Sequence, residues 1–346
     1  IVERRRESAE PFDYCDGVLS SLEVKDRLAD RFGPSHLFSP NQLNSMGKCP
    51  FQFFASRVLG FSAQEDQSEE ADNLERGQAL HEILNRFFTE AARPERLGTT
   101  RLRKENIGPA RSLMAEVTSA CFRDRLRRGL VGDPTLWEIE QSVLERYLNL
   151  FLDYEMERQS EDDARGEDFL PSHFEYAYGK DGEGALVVGE GEEGFLLGGR
   201  IDRVDISEAD DKRFRVWDYK LSRSRQAKDA FRGTDFQLPI YVMAVVDSLL
   251  GGAGDADRCG YYSLRPPTEQ MGSAEMRLSG KGVSLDEVMD AAERWLPFLV
   301  GQIRAGQFPV APRDENTCTW CNFRDICRVN KDRAMRKGVE ASQPPQ

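Results

Sequence analysis

The sequence lacks several features that would settle its class at once. It contains no run of roughly 20 apolar residues, the length a membrane span needs, so no transmembrane segment is expected. Behind the charged start Ile1-Val2-Glu3-Arg4-Arg5-Arg6 there is no apolar signal core, and the first residue is not methionine. The expectation is a cytoplasmic protein excised from a longer chain. Basic residues are outnumbered, 47 Lys and Arg against 60 Asp and Glu, for a net charge of −13. That balance argues against non-specific coating of nucleic acid, which needs clustered cations, but it leaves room for a local basic groove. No internal repeat and no GxxxxGK[ST] phosphate loop occurs. A disulfide framework is also unexpected, because the seven cysteines are odd in number and no secretory signal accompanies them.

What is present is the composition of a soluble protein, 39% hydrophobic and 31% charged, with 346 residues able to bury one large core or two modest ones. Residues 1–36 are polar and mixed, with a short helix expected around Ser21 to Arg31. Ser39-Pro40-Asn41-Gln42 offers a cap, a proline suited to the first helical position and a capping-box partner, which predicts a helix running to about Leu59. After an acidic stretch, a second helix is expected over Leu74 to Ala92. Leu80, Leu84 and Phe88 recur there at helical spacing, beside a stripe of Gly77, His81 and Asn85. Residues 93–168 read as a helical insertion ending in a helix over Trp137 to Arg158. The pattern then switches to period two, predicting strands around Phe174 to Tyr178, Ala185 to Val188, Phe195 to Ile206 and Arg213 to Lys220. A helix over Phe236 to Leu250, a strand at Cys259 to Leu264 and a helix opened by Ser284-Leu285-Asp286-Glu287 follow, before a cysteine-rich tail.

The sharpest chemical signal is Gly199-Arg200-Ile201-Asp202-Arg203 followed by Val216-Trp217-Asp218-Tyr219-Lys220. Side chains alternate along a strand, so Asp218 and Lys220 share a surface that Trp217 and Tyr219 do not. If the two strands form a hairpin, Asp202 comes near Asp218. Carboxylates on adjacent strands suit a hard cation such as Mg²⁺, which polarises a phosphodiester and lowers the pKa of a bound water. A neighbouring lysine can orient that water or stabilise developing charge. Glu175 alternates against Phe174 and Tyr176, so it is expected to be exposed and outside the site. Basic groups cluster at Arg101 to Lys104, at Arg123 to Arg128, and at Lys220, Arg223, Arg225, Lys228 and Arg232. Only the last gains weight from its neighbours. In the tail, Cys318, Cys321 and Cys327 form C-x2-C-x5-C, a ligand pattern that suits zinc or an iron-sulfur cluster and lacks a fourth partner. Cys15, Cys121 and Cys259 read as ordinary thiols.

Four motifs stand in one order: G-x-x-x-H at Gly77 to His81, G-x-x-D-R at Gly199 to Arg203, D-Y-K at Asp218 to Lys220, and Q-x-x-x-Y at Gln237 to Tyr241. With them the chain resembles the RecB-like branch of the PD-(D/E)XK nucleases, most closely the C-terminal nuclease domain of AddB-type helicase-nuclease subunits, over residues 37–330. The resemblance implies an α/β fold with a restriction-endonuclease-like core: a mixed sheet flanked by helices, a helical insertion at about 93–168, and a four-cysteine cluster joining the ends. Residues 1–36 would be an extension and 37–346 the nuclease domain. His81, Asp202 and Asp218 would be metal ligands with the Tyr219 carbonyl as a further one, and Lys220 the catalytic lysine. Gln237 and Tyr241 would stand beside them, contacting DNA or the catalytic strand. Cys49, in Cys-Pro-Phe-Gln-Phe-Phe, would complete Cys318, Cys321 and Cys327 around a structural [4Fe-4S] cluster, with Zn²⁺ as the alternative. Such a cross-link closes a loop of about 270 residues and would contribute on the order of several kcal/mol through unfolded-state entropy.

The activity implied is Mg²⁺- or Mn²⁺-dependent hydrolysis of DNA, an exonuclease acting on a single strand delivered by a helicase partner during end processing and recombinational repair. Any ATP-driven motor would lie in other sequence. The other readings are a non-catalytic DNA-binding or scaffolding module and a stand-alone nuclease resembling the CRISPR-associated adaptation nucleases.

Overall fold

The computed structural model describes residues 12–62, 69–131, 134–179, 184–221, 227–265, 275–277, 284–313, 315–319 and 321–327. The chain opens with α1 (Leu22–Arg31), capped by Ser21, then a short strand β1 (Leu37–Phe38). Helix α2 (Pro40–Lys48) begins with the expected capping box, Ser39 and Gln42 each bonding the other's backbone. It does not run through to Leu59. Cys49 is extended, at φ −163° and ψ 115°, as the residue before a proline prefers, and a separate α3 (Pro50–Phe53) restarts the helix and passes into a π turn, Phe54–Val58. Cys49 thus occupies a corner.

Helix α4 (Glu69–Ala91) starts earlier than the sequence pattern indicates, and α5 (Ile107–Arg127) and α6 (Pro134–Ala164) follow. Strands β2 (Phe169–Tyr178), β3 (Leu186–Val188), β4 (Phe195–Leu197), β5 (Gly199–Ser207) and β6 (Arg213–Lys220) come next. The single strand expected over Phe195 to Ile206 is broken at Gly198. A Cβ there would lie 2.8 Å from the Leu37 side chain, so only glycine lets β1 approach and divert β4 into its own sheet. Helix α7 (Ala227–Phe231) precedes α8 (Gln237–Ala244), which ends in a second π turn, Val245–Leu249. Strands β7 (Asp255–Ser263) and β8 (Glu275–Arg277) complete the sheet. Helix α9 (Leu285–Arg304) has the Ser284–Glu287 capping box, and α10 (Glu315–Thr319) and α11 (Arg324–Cys327) carry the tail cysteines.

Two mixed sheets result, ordered β1-β4-β3 and β2-β5-β6-β7-β8. Within the larger, β5 pairs antiparallel with β2 and β6, whereas β6 and β7 run parallel and need the crossover that α7 and α8 supply. Strand alternation sends Val204, Phe214, Val216 and Tyr261 into one core with α1, α2, α8 and α9. Trp217, Tyr219 and Tyr262 enter a second core with α4, α5 and α6. The helices of residues 93–168 therefore form one of the two layers that cover the sheet. Among the described residues no helix is long and apolar enough to cross a membrane.

That second layer is fastened by charge as well as by apolar contact. Arg203, fully buried on β5, donates to Asp205 at 2.5 and 2.9 Å and to Glu155 of α6 at 2.7 Å. Glu155 also accepts from Arg158 at 2.8 Å, Gln159 at 2.7 Å and the Tyr262 hydroxyl at 3.0 Å. Arg215 on β6 reaches Asp162 at 2.8 Å, Glu167 at 2.6 Å and Asp257 at 2.7 Å. Burial alone would raise the Glu155 carboxyl pKa, but Arg158 and Arg203 outweigh it and hold the group well below the carboxylate range. Its contribution is therefore present above the ordinary Glu value and lost only as pH falls through the depressed one. Replacing Glu155 by Ala leaves two buried guanidinium groups short of a partner, and urea denaturation should show a loss of about 3–5 kcal/mol. An unchanged midpoint would mean that the network does not fasten α6 to the sheet.

Candidate active site

Strands β5 and β6 stay in register up to Arg203 opposite Trp217, and there their ladder ends. Asp202 lies one step further on, and its Oδ2 accepts the Tyr219 N–H at 2.7 Å, so a carboxylate satisfies the donor that leaves the ladder. Helix α4 brings His81 across the same gap. Its Nδ1 is 3.2 Å from Asp202 Oδ1 and 3.7 Å from Glu175 Oε1, and its Nε2 is 3.0 Å from the Tyr219 carbonyl oxygen. With acceptors facing both nitrogens, only the imidazolium form satisfies the ring. Burial pulls the His81 pKa down, but the hydrogen bond and charge of Asp202, joined by Glu175 and Asp218, push it up to about 10.

Asp218, 1% exposed, stands beside this group. Its Oδ1 accepts from Gln237 Nε2 at 2.7 Å and its Oδ2 forms an ion pair with Lys220. Gln237 also accepts from Lys220 at 3.3 Å and donates to the Tyr241 hydroxyl at 2.8 Å. One amide on α8 thereby ties Asp218, Lys220 and Tyr241 together. Burial and the adjacent Asp202 push the Asp218 carboxyl up to about 7, against Lys220 and His81, which favour its charged form. All six site residues read from the sequence motifs, and the Tyr219 carbonyl, are thus gathered at the ends of β5 and β6. Within that gathering the Asp218 carboxylate turns toward Lys220 and Gln237, whereas the tightest convergence involves a residue that alternation places outside.

That residue is Glu175. The β2–β5 register shifts between Pro171 and His173, and Glu175 has φ +49°, the one positive φ outside glycine among the described residues. A side chain in that conformation costs on the order of 1–3 kcal/mol, and such strain concentrates at functional sites. Here it turns the carboxylate inward, 18% exposed, against Arg200 at 3.1 Å. Ligand atoms of His81, Glu175 and Asp202 all lie within 4.8 Å of one another. Two carboxylates, an imidazole and a main-chain carbonyl suit a divalent cation with oxygen preference, and the imidazole favours Mn²⁺ among such ions. The proton on His81 neutralises the same concentration of negative charge that a cation would.

The basic clusters separate in the structure. Arg101 and Arg103 are ion-paired with Asp163, and Arg101 also with Glu208, which fastens the segment before α5 to α6. Arg125 is buried against Glu82. Arg223 and Arg225 lie outside the described residues, as does the Lys228 side chain.

At the other end of the molecule, the tail beyond α9 returns to the corner at Cys49. The Arg313 N–H donates to the Lys48 carbonyl at 2.9 Å, its side chain reaches the Gly47 carbonyl at 3.4 Å, and its guanidinium stacks 4.7 Å from the Trp295 ring. Burial pushes the Cys49 thiol up to about 12, and Cys327 is among the charged neighbours that raise it further. The first and last of the four motif cysteines therefore face one electrostatic neighbourhood, and none of the four is in a disulfide. A thiol so buried is a poor thiolate by itself. A cationic centre would reverse that.

A family model described as the PD-(D/E)XK nuclease superfamily matches residues 37–328. Among curated proteins, the chain is similar to the AddB-type subunit of the ATP-dependent helicase/deoxyribonuclease of Moorella thermoacetica, 31% identical over 307 residues, covering 80% of this chain and 26% of the relative. The protein of the same name from Caldanaerobacter subterraneus is 24% identical over 269 residues, 74% of this chain and 22% of the relative. That of Symbiobacterium thermophilum is 30% identical over 224 residues, 62% and 18% respectively. The chain thus spans about a quarter or less of the relatives it matches.

The raised pKa values make stability depend on pH in a defined direction. Asp218 and His81 both bind protons more tightly in the folded state, so their contribution is complete at low pH and is lost as pH rises through about 7 and then about 10. In EDTA the melting temperature should fall between pH 6 and 9, and Mn²⁺ should recover most of that fall, as read by differential scanning fluorimetry. A melting curve equally insensitive to pH with and without Mn²⁺ would show that the cluster does not carry this charge.

Proposed function

Since the chain belongs to the PD-(D/E)XK nuclease superfamily, we propose that it is the metal-dependent nuclease domain of a helicase-nuclease, hydrolysing DNA phosphodiester bonds at the site formed by His81, Glu175, Asp202, Asp218 and Lys220. The observation that carries this reading is the convergence of His81, Glu175 and Asp202 within 4.8 Å, beside a buried Asp218–Lys220 pair. The names of the relatives favour the helicase-associated form over a stand-alone enzyme.

His81, Asp202, Asp218 and the Tyr219 carbonyl would hold Mg²⁺ or Mn²⁺, with Glu175 added to that set. When bound, the cation polarises the scissile phosphate and lowers the pKa of a coordinated water. The protein's own groups do the rest. His81 releases its proton on binding and then ligates as the neutral ring, and Asp218 is held ionised by Lys220 and by the Gln237 amide. Lys220, on the same strand face as Asp218, stabilises negative charge developing on the phosphate oxygens or orients the attacking water. Gln237 fixes the distance between Asp218 and Lys220, and Tyr241 orients Gln237 from behind, buried at 5% exposure rather than presented to substrate.

The finer reading is of an exonuclease acting on a single strand, supplied by a helicase partner subunit or domain, in DNA end processing and recombinational repair in the cytoplasm. Cys49, Cys318, Cys321 and Cys327 would bind a [4Fe-4S] cluster with a structural role, or Zn²⁺ in its place.

Asp218→Ala and Lys220→Ala should each lower Mg²⁺-dependent cleavage of labelled single-stranded DNA on the order of a hundredfold or more, with circular dichroism unchanged. Undiminished cleavage in both would refute the site. Protein prepared anaerobically should contain iron and acid-labile sulfide, both lost in Cys49→Ser with a drop of several kcal/mol in stability. Stoichiometric zinc without iron would refute the cluster.

A further inference from the structure

The metal-ligating groups lie in a cavity of about 1050 Å³, and its walls are of two kinds. Arg76, Arg125, Arg128, Arg200, Lys220 and Arg265 face it, against the carboxylates of Glu82, Glu175 and Asp202. In a chain of net charge −13, this is a cationic exception. The wall formed by the end of α5 and by α6 is apolar instead, presenting Leu130, Val143 and Tyr147. Leu130 and Val143 are 36% and 37% exposed, although nothing in the chemistry at the metal requires apolar groups in water.

The apolar wall also continues outward. Leu136, Ile139, Val143 and Tyr147 recur at intervals of three and four on α6, so they form one helical stripe, and Leu136 and Ile139 are more than half exposed. Leu136 to Tyr147 spans about 16 Å along the helix axis. A stripe of this kind usually faces a core. Here its inner end enters the catalytic cavity, alongside Arg128, whose side chain is 58% exposed and lies 3.4 Å from its partner Asp124.

We propose that the α5–α6 wall is a binding subsite for unstacked nucleobases, which lie against Leu130, Val143 and Tyr147 while the arginines hold the flanking phosphates. The inference rests on the nuclease reading and deepens it by assigning the strand to one wall of the groove. A nucleobase offers an apolar face only when it is not stacked in a duplex, and sequence-tolerant binding of single strands combines such contacts with a cationic track. In a paired duplex the bases turn inward and only phosphates meet the wall. The subsite therefore selects single strands.

The test is the binding of a fluorescein-labelled oligothymidylate and a duplex of equal length to the full chain in EDTA, followed by anisotropy. Leu130→Ser/Val143→Ser alters two exposed positions that touch no metal ligand. Its Kd for the single strand should rise about tenfold or more while duplex binding holds. In steady-state cleavage the loss should fall on KM, as expected for uniform binding. Arg128→Gln should reduce the slope of log K against log salt by about 0.7 for the single strand. An unchanged single-strand Kd and KM in the folded double variant would overturn the proposal and leave the stripe as a face for a protein partner. If wild type binds the strand without metal-dependent cutting, the nuclease reading fails, and the subsite still stands or falls on the Kd comparison.

Discussion

The arrangement depends on a buried set of charges behind the catalytic strands. Arg203 and Asp205 on β5, Arg215 on β6, and Glu155, Arg158 and Asp162 on α6 are all within the interior. Removing ions from water costs several kcal/mol each, and that cost is offset only where every group is paired in good geometry. Glu155 meets that condition with four donors from α6, β5 and β7. Trp217 adds its indole N–H to Asp205 at 2.9 Å. Because such pairs tolerate little displacement, they fix the register of β5 against β6 and the seating of α6 together. Asp202 adjoins Arg203, and Asp218 adjoins Trp217, so each acidic group is one residue from a side chain anchored on the opposite face.

The site itself is the place where regular pairing stops. The β5–β6 ladder ends at Arg203, Asp202 takes over the next backbone donor, and Glu175 accepts a left-handed backbone that a regular strand would avoid. Three carboxylates and an imidazole then crowd a small volume. The metal-free chain manages their repulsion by keeping a proton on His81 and by raising the affinity of Asp218 for one. Divalent binding exchanges proton for cation at the same point, which couples metal affinity to pH. Gln237, bonded to Asp218, Lys220 and Tyr241, keeps the lysine beside its carboxylate on either side of that exchange.

Much of this is legible in residues alone, and the exceptions share a cause. Alternation places Asp218 and Lys220 on one surface, the hairpin brings Asp202 to them, and the capping boxes at Ser39 and Ser284 fix two helix starts. Glu175 is not legible, because a register shift and a positive φ reverse the facing of a side chain without changing any residue type. Nor is the charge network, since Glu155, Arg158 and Asp162 read as a solvated helix face until a sheet carrying Arg203 and Arg215 is laid against them. Gly198 gives no warning of the strand break either, because the obstruction is Leu37, far away in sequence. Local pattern carries periodicity and capping. It does not carry the partner that a face meets.

The central claim is that His81, Glu175, Asp202 and Asp218 surround one divalent cation, and crystals grown with Mn²⁺ test it most directly through anomalous scattering. The expected result is a peak bonded to the His81 imidazole and to the carboxylates of Asp202 and Asp218, with Glu175 in contact and the Lys220 ammonium adjacent. A map with no peak there, and with His81 still ion-paired to Asp202, would contradict it.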